Sequence, residues 1–319
     1  MKTMKWLLRR EFWEHKGAFF WAPVTVAAAM LLLMGGGFMY ALAAGGHDTI
    51  QFNGHSVVSI QGVPPALRAK LAYAAASGYL GLAAPLFIVL AVVVFFYCLA
   101  ALHDDRRDRS ILFWKSLPLS DRDTVLSKVA SATVVAPVIA VLAALATMLG
   151  SMAIWSVVVM FHGGNPATLL WGPASPLAIL GTLIACIPLF ALWALPTVGW
   201  LMLCSAWSKS KPFLWAIMIP LFAGIFVSWF DLMQLVNLDS SWFWRHVVGR
   251  SLLSLVPGSW MGDVAEMSSG SLDPTGISQF LSLRSMYSIF GTAQMWIGVL
   301  AGAAMIFGAI RLRRWRDEG

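Results

Sequence analysis

The side chains that could do chemistry in this 319-residue chain lie outside its long apolar runs. A Ser–His catalytic pair inside a membrane needs a histidine at depth, but every histidine falls in a polar segment or at the edge of an apolar run. His47, Asp48 and His55 are possible metal ligands, yet their spacing matches no strong metal-binding motif. The sequence therefore predicts no catalytic residue, no metal site and no enzymatic activity in this chain. The histidines are His15, His47, His55, His103, His162 and His246.

The sequence also lacks the phosphate-binding loop Gly-x4-Gly-Lys-Ser/Thr. We therefore expect no cofactor bound by this chain, and any ATP hydrolysis that drives it must come from another chain. Ion-coupled carriers usually place ionisable residues within the membrane. The nearest candidate, Asp231, lies at the end of an apolar run, where we expect it to be solvated, so an ion-coupled carrier is disfavoured.

The composition is that of a membrane protein. Hydrophobic residues make up 59% of the chain and charged residues 12%, against about 45–50% and 25% in soluble proteins. The mean hydropathy is +0.75, which excludes a disordered chain and almost any soluble enzyme. A net charge of +7 is typical here of basic loops beside membrane spans, so we expect no nucleic acid partner.

Six apolar runs are each long enough to cross a hydrocarbon core, which takes about 20 residues. None of them contains Asp, Glu, Lys or Arg. The predicted fold is an all-α membrane protein, with six transmembrane helices in a single domain over residues 1–319. The predicted spans are residues 18–44, 78–102, 129–161, 177–204, 213–230 and 286–310.

Six crossings place both termini on the same side of the membrane. That side carries 17 of the 22 Lys and Arg residues, and the other side carries 5. By the positive-inside rule, both termini and residues 103–128 of this multi-pass protein are predicted to be cytoplasmic. The membrane that we expect is a bacterial inner (plasma) membrane.

Residues 1–17 predict a helix that lies in the inner headgroup layer and contacts membrane lipid. Lys5 and Arg9 fall on one helical stripe with other cations, while Trp6 and Trp13 are residues typical of the interface. Glu11 falls within the apolar stripe. The alternative is ordinary positive charge flanking a span. The residues assigned to this interfacial helix are Lys5, Trp6, Arg9, Arg10, Glu11 and Trp13.

Residues 103–128 are the most informative loop. Mixed charges are followed by the apolar cluster of residues 111–114, and Pro118 interrupts the chain. Ser120 and Asp123 have the spacing of a capping box that opens the third span. Large apolar residues on a short cytoplasmic loop indicate docking into a partner's groove. The alternative is that they fold back onto the membrane surface.

Three further features concern the predicted outer side and the last span. Asn53-Gly54 lies between two short β-prone runs, which predicts a small external β-hairpin. Residues 247–261 are apolar but broken at Pro257-Gly258, which favours re-entrant or interfacial helices before the last span. Gly298 and Gly302 form a Gly-x-x-x-Gly motif, which marks either a dimer seam or packing within one bundle.

Taken together, the sequence resembles the type-2 ATP-binding-cassette (ABC) exporter permeases. The resemblance rests on the basic N-terminal helix with residues 9–11, and on the loop with residues 116–120 followed by Lys128. It also rests on the six-span layout and on the proline-centred residues 255–260 before the last span.

The resemblance implies a permease subunit that forms a dimer with a second copy or a paralogue around a substrate path. A separate cytoplasmic ABC ATPase subunit, holding ATP and Mg, would drive efflux across the inner membrane. Residues 103–118 would be a short cytoplasmic coupling helix seated in that ATPase. The alternative function is a non-transporting membrane scaffold or assembly factor that recruits a cytoplasmic partner. The coupling residues would be Asp105, Arg106, Arg109, Ile111, Leu112, Phe113, Trp114, Leu117 and Pro118.

Overall fold

Among the residues that the structure describes, the regular structure is helical apart from two short strands. The computed structural model describes residues 2–43, 50–52, 55–57, 78, 81–108, 120–161, 165–171, 176–234, 239–260 and 283–315. The α-helices are α1 (Lys2–Glu14), α2 (Ala22–Ala43), α3 (Ala84–Arg107), α4 (Asp121–Ala130), α5 (Ala136–Phe161), α6 (Pro176–Trp193), α7 (Leu195–Trp207), α8 (Pro212–Leu232), α9 (Ser240–Phe243), α10 (Arg250–Leu253), α11 (Leu283–Ser288) and α12 (Ala293–Trp315).

Shorter elements lie between these helices. The π-helical turns are Gly17–Trp21, Ser131–Val135, Ala167–Trp171 and Trp244–Gly249, and a 3-10 turn spans Ile289–Gly291. The chain forms two compact units: residues 1–19, 90–137 and 186–319 make up the first, and residues 20–89 and 138–185 make up the second.

The described residues include five helices that are long and apolar enough to cross a membrane, or six if the bent pair α6–α7 is one span. This agrees with the six apolar runs and gives an all-α, multi-pass membrane architecture. The two helices of the pair are bent by 48°, and Pro196 lies in the first turn of α7. Proline has no N–H and its ring clashes with the carbonyl four residues earlier, which accounts for a bend at this point.

The third span is longer than the sequence predicts, because α4, the π turn Ser131–Val135 and α5 form one helix of 41 residues. At 1.5 Å per residue it is about 60 Å long, well beyond a hydrocarbon core of about 30 Å. Ser120 caps its start by accepting a hydrogen bond from the Asp123 amide at 3.1 Å, as the capping-box pattern predicts. The π turn ends just before Pro137, where a wider turn lets the helix pass a residue that has no N–H donor.

The two strands belong to the second unit. β1 (Ile50–Phe52) and β2 (His55–Val57) are antiparallel. Ile50 pairs with Val57, and Phe52 pairs with His55. The two residues between the strands, Asn53 and Gly54, lie outside the described residues.

A helical segment precedes the last span. α9, the π turn Trp244–Gly249 and α10 run without a break, and Gly258 then takes a left-handed φ of 92°. The chain therefore turns at the predicted Pro257-Gly258 break. Asp239 caps this segment: the Ser241 hydroxyl and the Trp242 amide donate to its carboxylate, which lowers the pKa of that carboxyl. The second predicted helix, after residue 260, lies largely outside the described residues.

The last span packs against α7 through glycines. The position of a Cβ on Gly199 would lie 2.5 Å from the Gly302 carbonyl oxygen, and that of a Cβ on Gly302 would lie 2.6 Å from the Leu195 carbonyl. The two backbones touch, so only glycine fits at either position. The Gly-x-x-x-Gly motif therefore serves packing within this chain.

We expect Gly302→Ala to lower the free energy of unfolding by about 1–3 kcal/mol, because the new methyl group must push backbone away from backbone. Thermal unfolding of the detergent-solubilised chain measures the effect. Gly291→Ala is the control, since a Cβ there meets nothing within 4 Å. Equal melting temperatures for the two variants would contradict the close approach of α7 and α12.

Candidate functional site

Helix α1 has two chemically different faces. Lys5 and Arg9 are exposed, while Leu7 and Glu11 are buried on the opposite side of the helix. Positions 7 and 11 are one helical turn apart and share a face. A carboxylate at the centre of this buried face needs a partner from the rest of the protein.

Glu11 has two such partners. Lys128, near the end of α4, places its Nζ 3.2 Å from Glu11 Oε1. Tyr97, in α3, donates its phenolic hydrogen to Glu11 Oε2 at 2.8 Å. His15 and Phe19 pack against the Tyr97 ring at centroid distances of 4.7 and 4.9 Å. Buried Glu11 thus joins α1 to α3 and α4.

The ion pairs continue to the last helix. Asp105 lies 3.6 Å from Lys128 Nζ and 3.0 Å from Arg313 Nη1, and Arg313 Nε lies 3.4 Å from Asp121. We call this group the charge cluster. Its members come from α1, α3, α4 and α12. They are Glu11, Tyr97, Asp105, Asp121, Lys128 and Arg313.

Because the charge cluster is buried, its ions lose the free energy of hydration. The side chains of Lys128 and Arg313 are 2% and 4% exposed, so both cations have left water. Removing a charge from water costs several kcal/mol, and close opposite charges offset part of that cost. Each ion therefore depends on its partners, and removing one partner is expected to cost about 3–5 kcal/mol.

Arg106 makes a second link at the end of α3. Its guanidinium donates to the carbonyls of Ser205 and Ser208, at the end of α7. The Ser205 hydroxyl donates to the Leu99 carbonyl at 2.7 Å and accepts from the His103 amide at 3.0 Å. The last turn of α3 is thereby tied to α7 as well as to the charge cluster.

These two links lie on both sides of residues 109–119. Asp105 and Arg106 were predicted to lie in the loop that begins at residue 103, but they lie in the last turns of α3, which continues to Arg107. Asp121 and Lys128 lie in α4. Both flanking helices are thus held by buried polar contacts to other helices. The remaining predicted coupling residues lie outside the described residues: Arg109, Ile111, Leu112, Phe113, Trp114, Leu117 and Pro118.

The outward face of α1 has the residues that an interfacial helix requires. Trp6 and Trp13 are 65% and 57% exposed. The Arg9 guanidinium lies 5.5 Å from the Trp6 ring centroid, and Lys16 Nζ lies 4.9 Å from that of Trp13. Arg10 instead pairs with Glu14 at 2.7 Å. Of the six predicted interfacial residues, Glu11 alone is buried, so it belongs to the packed face.

Sequence reasoning found only part of the charge cluster. Glu11 was conspicuous as an acid within an apolar stripe, and Asp105 and Lys128 lie in the informative loop. Tyr97 and Arg313 carry no such signal, since a tyrosine within a span and an arginine in a basic tail are both ordinary. Tyr97 pairs with Glu11, about 90 residues away, and Arg313 pairs with Asp105, about 200 residues away. No local sequence pattern encodes contacts over such separations.

One charged residue that lies outside the apolar runs in sequence, Arg250, packs against a membrane-spanning helix. Arg250, at the start of α10, is buried, and its guanidinium carbon lies 3.5 Å from the Trp193 ring centroid. A Cβ at Gly298 would collide with this guanidinium. Asp231 is half-buried and accepts from the Ser240 amide at 3.3 Å. The apolar runs contain no charged residue, but charged side chains from outside these runs pack against the helices.

Among the described residues, one group has the proximity of metal ligands. Ligand atoms of Glu11, Glu14 and His15 lie within 4.8 Å of one another. The two carboxylates already have cationic partners, in Lys128 for Glu11 and in Arg10 for Glu14. Because these ion pairs use the charge that a metal ion would need, the group supports no metal site.

No protein-family model, curated protein or solved structure matches this chain. The feature of the described residues that suggests a function is the charge cluster, which joins four helices on both sides of residues 109–119.

We expect Lys128→Met to lower the free energy of unfolding in detergent by about 3–5 kcal/mol, because Glu11 and Asp105 lose a shared cation in a buried site. The control Arg122→Met removes an exposed cation of the same helix and should change stability by less than about 0.5 kcal/mol.

The double variant Glu11→Gln/Lys128→Met tests the pair itself. It should be less destabilised than the two single variants added together, since no uncompensated Glu11 charge remains, and the coupling should reach about 0.5–3 kcal/mol. Strict additivity would show that Glu11 and Lys128 do not interact.

Proposed function

We propose that this chain is the membrane-spanning permease subunit of an ABC exporter, driven by a separate cytoplasmic ATPase subunit. The observation that carries the proposal is the charge cluster, which ties both ends of the loop at residues 109–119 to other helices. A loop with the apolar residues Phe113 and Trp114 at its centre suits a partner's groove. Anchored ends would let a force applied to that loop reach the spans.

The same contacts support the placement of both termini on the same side of the membrane. Glu11 is near the start of the chain and Arg313 near its end, and both contact the neighbouring pair Asp105 and Lys128. An even number of crossings requires this arrangement. The excess of Lys and Arg on this side favours the cytoplasm. The bacterial inner membrane is part of the proposed exporter function.

In the proposed mechanism, the partner ATPase holds ATP and Mg and changes shape when it hydrolyses ATP. The coupling loop moves with it. Because separating Asp105 from Arg313 or Lys128 would expose buried charge, the ends of α3, α4 and α12 are expected to move together rather than part. A second permease copy or a paralogue would complete the substrate path.

Replacing Phe113 and Trp114 by Asp tests the coupling loop. The chain is purified together with a candidate phosphate-loop ATPase. We expect F113D/W114D to lose the complex and to reduce ATPase activity to the rate of the ATPase alone, since two carboxylates cannot enter an apolar groove without a large desolvation cost.

The matched control is Phe161→Asp, an exposed aromatic residue at the far end of α5, which should leave the complex intact. An unchanged complex and unchanged stimulation in F113D/W114D would refute the coupling assignment. A complex that forms but never responds to nucleotide would favour a membrane scaffold over an exporter.

Cysteine labelling tests the orientation. In a background without the native cysteines, Ser110→Cys should react with a membrane-impermeant maleimide only after the cells are permeabilised. Asn165→Cys, which follows the other end of the 41-residue helix, should react in intact cells. Labelling of Ser110→Cys in intact cells would invert the topology and remove the basis for a cytoplasmic ATPase partner.

A further inference from the structure

A cavity of about 810 Å³ lies where several helices of the first unit end. It is lined by residues at the ends of α3 and α12 and by residues 208–211, which connect α7 to α8. Its volume is in the range of about 300–1,000 Å³ found for small-molecule sites. The cavity is large enough for a polar headgroup rather than for a single ion.

The lining is strongly cationic. Arg106 and Arg107 come from α3, and Lys209 and Lys211 come from the connection. Among the described residues, no acidic side chain lines the cavity. Like charges around one cavity repel each other, and an anion between them relieves that repulsion. The charge pattern therefore selects a negatively charged ligand.

Ser208 gives a second and independent observation. It lines the cavity and is only 3% exposed. Its Oγ is buried and has no hydrogen-bond partner among the described residues, which is costly for a hydroxyl group. Its carbonyl is already held by Arg106 at 2.9 Å. A ligand oxygen would accept the hydroxyl hydrogen and satisfy this group.

The start of α8 adds to the positive potential. Lys211 is its N-cap residue, with a left-handed φ of 51°, and no side chain caps the first turn. α8 has 21 residues, so the positive end of a full helix dipole lies beside the cavity. Helix N-termini of this kind favour phosphate and other anions.

The position of the cavity points to the source of the anion. α3, α7 and α12 end here and α8 begins here, and each belongs to a candidate membrane span. Trp315, which also lines the cavity, is 68% exposed and is of the type found at the headgroup level. Basic pockets between membrane helices bind anionic lipid headgroups.

We propose that this cavity is a binding site for the phosphate group of an anionic phospholipid. Arg106 and the two lysines supply the charge, and the Ser208 hydroxyl supplies a specific hydrogen bond. The site does not depend on the exporter function, since it requires only that these helices span a membrane.

Native mass spectrometry of the delipidated full chain tests the proposal. The chain is mixed with phosphatidylglycerol or phosphatidylcholine, and bound lipid is counted. We expect one tightly bound phosphatidylglycerol and at least tenfold weaker binding of phosphatidylcholine. Lys209→Gln/Lys211→Gln should weaken phosphatidylglycerol binding at least tenfold, and Ser208→Ala, which keeps every charge, should weaken it by about threefold to tenfold.

The matched control is Arg122→Gln/Arg314→Gln, which removes two exposed cations outside the cavity. It should leave the tight site occupied. Equal losses in the two double variants would show general surface attraction and overturn the site. Equal binding of the two lipids would also overturn it. Displacement of the lipid by millimolar inorganic phosphate, with the same dependence on Ser208, would identify free phosphate as the ligand instead.

Discussion

An ionised side chain removed from water must be compensated within the protein, and much of the first unit depends on that constraint. Lys128 and Arg313 are buried and meet three carboxylates. Because these carboxylates come from α1, α3 and α4, pairing the charges fixes how the ends of those helices meet. Packing of apolar side chains alone would tolerate sliding of one helix against another, whereas ion pairs at about 3 Å do not.

Proline and glycine residues shape the packing of the membrane-spanning helices. Helices bend or widen at prolines, as at Pro137 and Pro196, because a proline has no N–H to bond the carbonyl of the preceding turn. The backbones of α7 and α12 touch at Gly199 and Gly302. Between lipid-exposed helices there is no hydrophobic gain from association, so such close contact is a main source of stability.

Adjacent residues of α3 contribute to two different structures. Asp105 joins the charge cluster, while Arg106 binds the carbonyls at the end of α7 and lines the cationic cavity. One helical turn, just before residues 109–119, thus contacts α4, α7 and α12. A change at this turn would be felt by the ion pairs and by the cavity together, because the two side chains share one stretch of backbone.

The sequence by itself determined the membrane class, the presence of long apolar runs, the Ser120 cap and the chain break at Pro257-Gly258. These follow from apolar run length and from local backbone chemistry, which act over a few residues. The sequence also showed that Glu11 lies within the apolar stripe of its helix, but it did not show which residue pairs with it. Only the tertiary structure decided that Glu11 meets Lys128 and Tyr97, that Arg313 meets Asp105, and that Gly302 packs on α7. Those contacts join residues far apart in the chain, and a residue's own neighbours in sequence hold no information about which distant charge will compensate it.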